Sequence, residues 1–417
     1  MLGAIADDFT GATDLAIMLR RNGHRVAVAI EDHDPGERVR AGLDALVIAL
    51  KSRTAPVAEA VAATRAAHER LLDWGARRVY VKYCSTFDST DEGNIGPVLD
   101  AVADRAGAER VVVVPSLPAN GRTVHEGLLH VNGQLLEHSP LRHHPLTPMT
   151  RSRVADLLRP QTRHEVAELH LDVVRSGRDA LRAALDATAA RYVVVDAVDD
   201  ADLAVIGAAV AGDAVVSGGS GLALGLPDPH GDTDGWTAPA SGRRAVLCGS
   251  ASTATRRQVA DAAGRAQPVL RVDPVAAVRT PDLEVDRIAA WAVQQPADST
   301  PVIHTTADAA DLVPEVDGLP AAPAVETVLA GVARRLVVSG VRHLLVAGGE
   351  TSGAVVRALG VGVLRVGPEI APGICWAAAA AATGGDGDDG GHEVALALKS
   401  GNFGPDDLFT SAWDRLA

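Results

Sequence analysis

The stretch IADDFTGATDLA, residues 5–16, closes a short apolar run, turns on two adjacent carboxylates and continues as an amphipathic helical pattern. A strand that feeds a helix through a polar turn is the opening half of a βαβ unit, and parallel α/β sheets hold ligands at the carboxyl ends of their strands. The same grammar recurs. Strand-type runs are expected at 3–6, 26–30, 46–50, 79–83, 111–115, 192–197 and 214–218, separated by alanine-rich helical stretches such as 57–75, which closes on a glycine suited to a helix C-cap. A second series is expected at 245–250, 269–273, 301–305, 342–349, 363–367 and 394–400. Between them PDPHGDTDGWTAPASGRR (227–244) is rich in Pro, Gly, Asp and Ser without periodicity, and reads as a linker. The expected architecture is α/β, with two domains, each a mostly parallel sheet flanked by helices, and a cleft between them. Their bounds are 1–226 and 245–417.

Composition agrees with that size and excludes several classes. A chain of 417 residues with 47% hydrophobic content exceeds one ordinary domain. No apolar run approaches the roughly 20 residues that cross a bilayer, and the N-terminus places carboxylates where a signal peptide carries positive charge. A cytoplasmic protein with no membrane partner is expected. Cys84, Cys248 and Cys375 form no CxxC pair, which argues against a disulfide framework or a cysteine zinc site. A net charge of −14 and a pI near 5.4 disfavour nucleic acid as a partner. With only 3% aromatic residues, the core must be built from Ala, Val and Leu, and Phe9 and Phe87 are expected to pack.

Only three lysines occur, Lys51, Lys82 and Lys399, each after a strand-type run. Two stand in the first half beside other polar groups: Lys51 with Ser52 and Arg53 in LKSR, and Lys82 with Ser85 and Asp88 in KYCSTFDST (82–90). Ammonium groups on flexible stems and the arginine forks of Arg53 and Arg122 suit a carboxylate or phosphate, although solvated surface charge is the ordinary fate of such residues. Asp7 and Asp8 have two readings. One aspartate suffices for a helix N-cap, whereas a second beside it, followed by Thr10, Gly11 and Thr13, suits a site that activates a hydroxyl.

The second half offers glycine turns. LCGSASTATRRQV (247–259) and LLVAGGETSGAVVRALG (344–360) each run from strand through a Gly/Ser turn into a helix, with backbone N–H groups able to cradle phosphate, and SGNFG (400–404) ends another strand. A Walker A loop is excluded because no lysine stands in GxxxxGK[ST]. The GxGxxG at Gly385, Gly387 and Gly390 reads GDGDDG, acidic where pyrophosphate would lie, and is expected to be a surface loop. His125, His130, His143 and His144 lack metal-ligand spacing, so no protein-built metal cluster is expected.

Together IADDFTGATDLA, LKSR, KYCSTFDST with GNIGPV, PSLPANGRTV, HHPLTPMT, GGSGLALGL, GGETSGAVV, VGPEIAPG and LALKSGNFG resemble the four-carbon acid sugar kinase family, in order and over nearly the whole chain. The resemblance implies an N-terminal acid-sugar-binding domain, a C-terminal ATP-binding domain, and a phosphotransferase acting on an alcohol group. The implied substrate is 3-oxo-tetronate, phosphorylated at its C4 hydroxyl, with D-threonate and D-erythronate as alternatives. It places ATP against Ser250, Ser252, Gly348, Gly349, Glu350, Thr351 and Gly401, with Mg2+ arriving on the nucleotide. Asp8, with Asp7 behind it, becomes the catalytic base, and Lys51, Ser52, Arg53, Lys82, Ser85, Asp88 and Arg122 the acid-sugar contacts. Thr147 and Arg151 in PLTPMTRSR depart from the Asn and Asp of the oxo-tetronate pattern, which leaves the substrate open. A nucleotide-regulated acid-sugar-binding protein without chemistry, and an aldolase or decarboxylase using Lys82 as amine, remain as rivals. A homo-oligomer stays open.

Overall fold

The computed structural model describes residues 1–143, 147–227, 236–239, 241–306, 313–382, 391–399 and 401–416. The GDGDDG stretch, His144, Ser400 and half of the expected linker lie outside the described residues. The chain divides into two compact units, Met1–Asp234 and Gly235–Ala417.

The first unit carries strands β1 (Leu2–Ala6), β2 (Val26–Ile30), β3 (Ala45–Ala49), β4 (Arg78–Lys82), β5 (Val111–Val114), β6 (Arg122–His125), β7 (Leu128–Val131), β8 (Gln134–Leu135), β9 (Val166–Leu169), β10 (Tyr192–Val195) and β11 (Val215–Gly218). Its main sheet runs β2-β3-β1-β4-β11-β5-β10-β9, and every adjacent pair is parallel. Such strands are covered on both faces, which is why β1, β3 and β5 are buried along their whole length and read as unbroken apolar runs. Helix Val57–Asp73 crosses so near β1 that a Cβ on Gly3 would lie 3.0 Å from Ala76 and Leu71. It ends with Gly75 at φ +91°, the left-handed stop that its sequence announced.

The second unit carries β12 (Arg243–Cys248), β13 (Val269–Arg271), β14 (Val302–His304), the short hairpin of β15 (Glu315–Val316) and β16 (Leu319–Pro320), then β17 (Val341–Ala347), β18 (Val363–Ala371), β19 (Ile374–Ala381) and β20 (His392–Lys399). Its sheet runs β13-β14-β12-β17-β20-β19-β18. The first five strands are parallel, and β19 runs antiparallel to both of its neighbours, β20 and β18. Val, Ala and Leu fill the core around Trp376 and Trp413, whose rings lie 5.3 Å apart, and the Trp376 indole donates to the Ala412 carbonyl at 3.0 Å.

Three elements depart from the sequence expectation. The run ICWAAAAA is strand β19, although alanine is the best helix former, because it lies buried between β18 and β20 and two ladders override a propensity of a few tenths of a kcal/mol per residue. Strand β9, a half-buried sheet edge, has too little apolar content to announce itself. The region of β6 to β8, where no strand-type run was expected, is an antiparallel meander. Asn132 and Gly133 turn it with φ of 51° and 80°, the Asn-Gly signature of a tight hairpin. Among the described residues, no helix is long and apolar enough to cross a membrane.

Candidate active site

Both parallel sheets reverse direction beside their first strand, and that is where polar residues gather. In the first unit the chain leaves β1 for β2 and β3 on one side and returns to β4 on the other, so the carboxyl ends of β3, β1 and β4 form a switch point. Asp7 fastens all three ends through its backbone. Its N–H donates to the Lys82 carbonyl at 3.2 Å, and its carbonyl accepts from Ser52 N–H at 2.9 Å and Arg53 N–H at 3.1 Å.

The side chains interlock above this frame. Arg53 donates from Nε to Asp7 Oδ2 and from Nη2 to Asp7 Oδ1, both at 2.8 Å, a two-pronged grip, and the same Nη2 stands 2.8 Å from Asp8 Oδ1. Asp8 also caps helix Phe9–Arg21, its Oδ1 accepting from Gly11 N–H at 2.6 Å. Burial lifts the Asp8 carboxyl above its ordinary range, Arg53 pulls it down, and Asp7 pushes it further up. Lys82 is buried, its ammonium donating to the Tyr83 carbonyl at 2.8 Å. Gly11 is where these groups meet: a Cβ there would lie 2.5 Å from Asp8 Oδ1, 3.1 Å from Lys82 Nζ and 3.4 Å from Arg53 Nη2. Asn94 secures the next turn, donating to the Ser52 carbonyl at 2.8 Å and the Ala55 carbonyl at 3.1 Å. A cavity of about 20 Å³ beneath Asp7, Ser52, Lys82 and Asn94 has room for one water.

Not every expected contact converges there. Lys51 is exposed and lines a separate cavity of about 310 Å³ with Glu31, Asp32, Glu59 and Arg70. Arg122 belongs to β6, its guanidinium donating to the Asn120 carbonyl. That meander is held by Asp196, which accepts from Glu126 N–H at 2.7 Å and Gly127 N–H at 2.9 Å. Ser85 and Asp88 stand half-buried in the turn after β4, where Thr86 Oγ1 donates to Asp88 Oδ1 at 2.6 Å. Phe87 is fully buried at φ 52° and meets Tyr83 edge to face at 5.2 Å, so it packs. Arg151 pairs with Asp91. Among the described residues, no group of three or more His, Cys, Asp and Glu side chains gathers as a metal site.

One residue of the cluster escaped sequence reasoning. Asp14 lies one turn beyond Gly11 on the same helix; burial raises its carboxyl to about 6, moderated by Lys82 and Arg53 and reinforced by Asp8. Its spacing from Gly11, i to i+3, was the available signal.

In the second unit the switch point lies between β12 and β17, with β20 beyond. The three turns leaving these strands close on one another. Gly249 and Ser250 N–H donate to the Ala347 carbonyl at 3.0 and 3.2 Å, and Gly348 N–H to the Lys399 carbonyl at 2.9 Å. Ser252 caps helix Thr253–Gly264, accepting from Thr255 N–H at 3.2 Å while its hydroxyl donates to the Gly401 carbonyl. Glycine is required where the turns touch. A Cβ on Gly348, at φ +126°, would stand 3.0 Å from Thr351 Oγ1 and 3.2 Å from Ser250 N, and one on Gly401 would stand 2.5 Å from Ser250 Oγ. Gly349 faces open space, and Glu350 is exposed in the first turn of helix Gly349–Ala358. Two helix N-termini and a glycine turn thus come together, and the N–H groups of a helix's first turn are the kind of donors a polyphosphate takes. All seven residues expected to meet ATP lie on these turns.

An acid–base cluster at the switch point of one unit and converging glycine turns at that of the other agree with the class that two matching families define, a sugar-binding domain joined to a nucleotide-binding domain. The sugar-binding N-terminal domain family matches residues 2–226, and the nucleotide-binding C-terminal domain family matches residues 245–409. The chain belongs to the four-carbon acid sugar kinase family. It is 44% identical over 430 residues to a 3-oxo-tetronate kinase of Pseudomonas fluorescens, covering 100% of this chain and 97% of that protein. It is likewise 44% identical to one of Burkholderia multivorans, covering 99% and 96%. Among solved structures, a provisionally named tRNA synthase of Salmonella typhimurium is 39% identical with a TM-score of 0.90, covering 99% of this chain and 98% of that one. A Haemophilus influenzae protein is 34% identical with a TM-score of 0.83, covering 100% of both chains.

Proposed function

We propose that this chain is an ATP-dependent kinase that phosphorylates the C4 hydroxyl of a four-carbon acid sugar, 3-oxo-tetronate. The observation that carries this reading is the meeting of three Gly/Ser turns at the ends of adjacent strands in one unit, matched by an aspartate–arginine–lysine cluster at the switch point of the other. Similarity to 3-oxo-tetronate kinases over the whole chain supports it.

In this mechanism the acid sugar lies against the first-unit cluster, with Arg53 and Lys82 attracting its carboxylate and spreading phosphate charge. Both contacts of the Asp8 carboxylate fall on Oδ1, so Oδ2 is the oxygen that meets the C4 hydroxyl. A carboxyl lifted above its ordinary range is a better base. The hydroxyl oxygen attacks the γ-phosphorus in line, its proton passes to Asp8, and the bond to the β-phosphate oxygen breaks to release ADP. The turns at Ser250, Ser252, Gly348, Gly349, Thr351 and Gly401 hold the nucleotide. Glu350 or an aspartate of the Asp7–Asp8 pair would steer a Mg2+ ion arriving with ATP, which would supply charge neutralisation of the phosphates. Catalysis of this kind is mostly positioning and electrostatics, which suits a cluster already locked by Arg53.

D-threonate or D-erythronate is the second substrate reading, left open because Arg151, which pairs with Asp91, stands where the oxo-tetronate pattern has an acid. A coupled ADP-release assay with ATP and Mg2+ against 3-dehydro-erythronate, 3-dehydro-threonate, D-erythronate and D-threonate separates the two, with product mass recorded. Fastest turnover on an oxo-acid, with the mass of one added phosphate, is expected. Binding of these acids without ADP release from any would overturn the kinase reading in favour of a binding protein.

A further inference from the structure

Lys399, the third lysine, has no place in the mechanism above, yet it stands at the foot of the nucleotide turns. It is the last residue of β20, and its side chain is 1% exposed. Its ammonium donates to Thr255 Oγ1 and to the Gly401 carbonyl, both at 2.9 Å. Thr255 Oγ1 in turn donates to the same Gly401 carbonyl at 3.0 Å and lies 3.1 Å from the Ser252 hydroxyl. Among the described residues, no carboxylate pairs with this lysine. A buried cation without a counter-ion is costly; hydrogen bonds and a loss of charge reduce that cost, and a negative charge brought in by a ligand removes more of it.

We propose that Lys399 is the charge-compensating, positioning residue of the nucleotide site: its ammonium fixes the Gly401 carbonyl and the Thr255 hydroxyl that shape the turn, and the phosphates of a bound nucleotide supply its missing counter-charge. The proposal rests on the nucleotide reading of this site. Burial pushes the ammonium down to about 8, with the Cys248 thiol acting weakly the other way. Other ionisable groups stand on the surrounding elements. They are the Cys375 thiol on β19; Arg342 and His343 at the far end of β17; Arg243 and Arg244 at the far end of β12; His392 and Glu393 at the far end of β20, Glu393 paired with Arg365; Arg256, Arg257 and Asp261 on helix Thr253–Gly264, with Arg257 engaged by Asp406 and Asp261 by Arg265; and exposed Glu350 with Arg357 on helix Gly349–Ala358. None is a buried anion.

The consequence is proton uptake on nucleotide binding. If phosphate restores Lys399 to the ordinary lysine value of about 10.4, binding takes up roughly 0.5 proton at pH 8, about 0.1 at pH 7 and about 0.9 at pH 9, and affinity falls about tenfold from pH 7 to 9. The terminal phosphate itself titrates about two units lower and does not interfere. The test is calorimetric titration of the full chain with MgADP, without acid sugar, in buffers of different ionisation enthalpy. Lys399→Arg, charged at every pH used, is expected to bind ADP without uptake, and Cys248→Ser to keep the wild-type uptake. ADP binding with no uptake near pH 8, or uptake that survives in Lys399→Arg or vanishes in Cys248→Ser, overturns the role of Lys399 alone. If the arginine fails to pack, the wild-type and Cys248→Ser titrations still decide. Failure of wild type to bind ADP at all overturns the nucleotide reading beneath it.

Discussion

Gly11→Ala tests whether the first-unit cluster is a working site or a helix cap with ornament. The added methyl would sit 2.5 Å from Asp8 Oδ1, about 1 Å inside ordinary contact, so the carboxylate must swing off the Gly11 N–H. That forfeits an N-cap worth about 1 kcal/mol, while alanine in place of glycine returns up to about 1 kcal/mol of helix propensity. The two nearly cancel, so global stability is expected within about 1 kcal/mol of wild type. Geometry does not cancel. Asp8 moves by about 1 Å relative to Arg53 and to Lys82, whose Nζ the methyl also approaches at 3.1 Å, and such a displacement costs about 10²-fold in a reaction that depends on alignment. Thermal unfolding, ADP affinity and coupled ADP release should therefore separate: unchanged, unchanged, and about a hundredfold lower in kcat/KM for the acid sugar. Turnover within threefold of wild type, with stability preserved, would refute the placement of the hydroxyl at Asp8.

Two further outcomes follow from the same geometry. Asp14 titrates at about 6 in the folded protein against 3.8 in a free chain, so the native state binds its proton more readily; stability falls as pH rises between these values and the penalty is complete above them. Asp14→Asn should therefore raise stability at pH 7.5 by up to about 3 kcal/mol and change little at pH 4, which denaturant titrations at both pH values will read; destabilisation at pH 7.5 would remove the burial argument. Ser252→Ala loses the cap of helix Thr253–Gly264 and the tie to Gly401, and is expected to cost about 1 kcal/mol of stability and to weaken ADP binding severalfold without altering acid-sugar affinity, as paired calorimetric titrations will show.

The α/β class, the sequential placement of most strands and the three glycine turns of the second half were legible in the chain, because strand-to-helix turns in parallel sheets are local in sequence and Gly, Ser and Asp carry their turn chemistry with them. Asp7, Asp8, Arg53 and Lys82 were legible for the same reason: each stands at or within four residues after the carboxyl end of a strand. What local pattern left open was which strand ends are neighbours. Tertiary order put β3, β1 and β4 side by side, so that Arg53 reaches both aspartates while Lys51, two residues earlier, faces another cavity. It also turned an alanine run into β19, since two ladders outweigh propensity. Burial, which no spacing encodes, raised Asp14 to about 6 and left Lys399 without a counter-ion. Residue chemistry and turn positions belong to the sequence; adjacency and desolvation, the two quantities that set a group's charge and reach, exist only once distant segments pack.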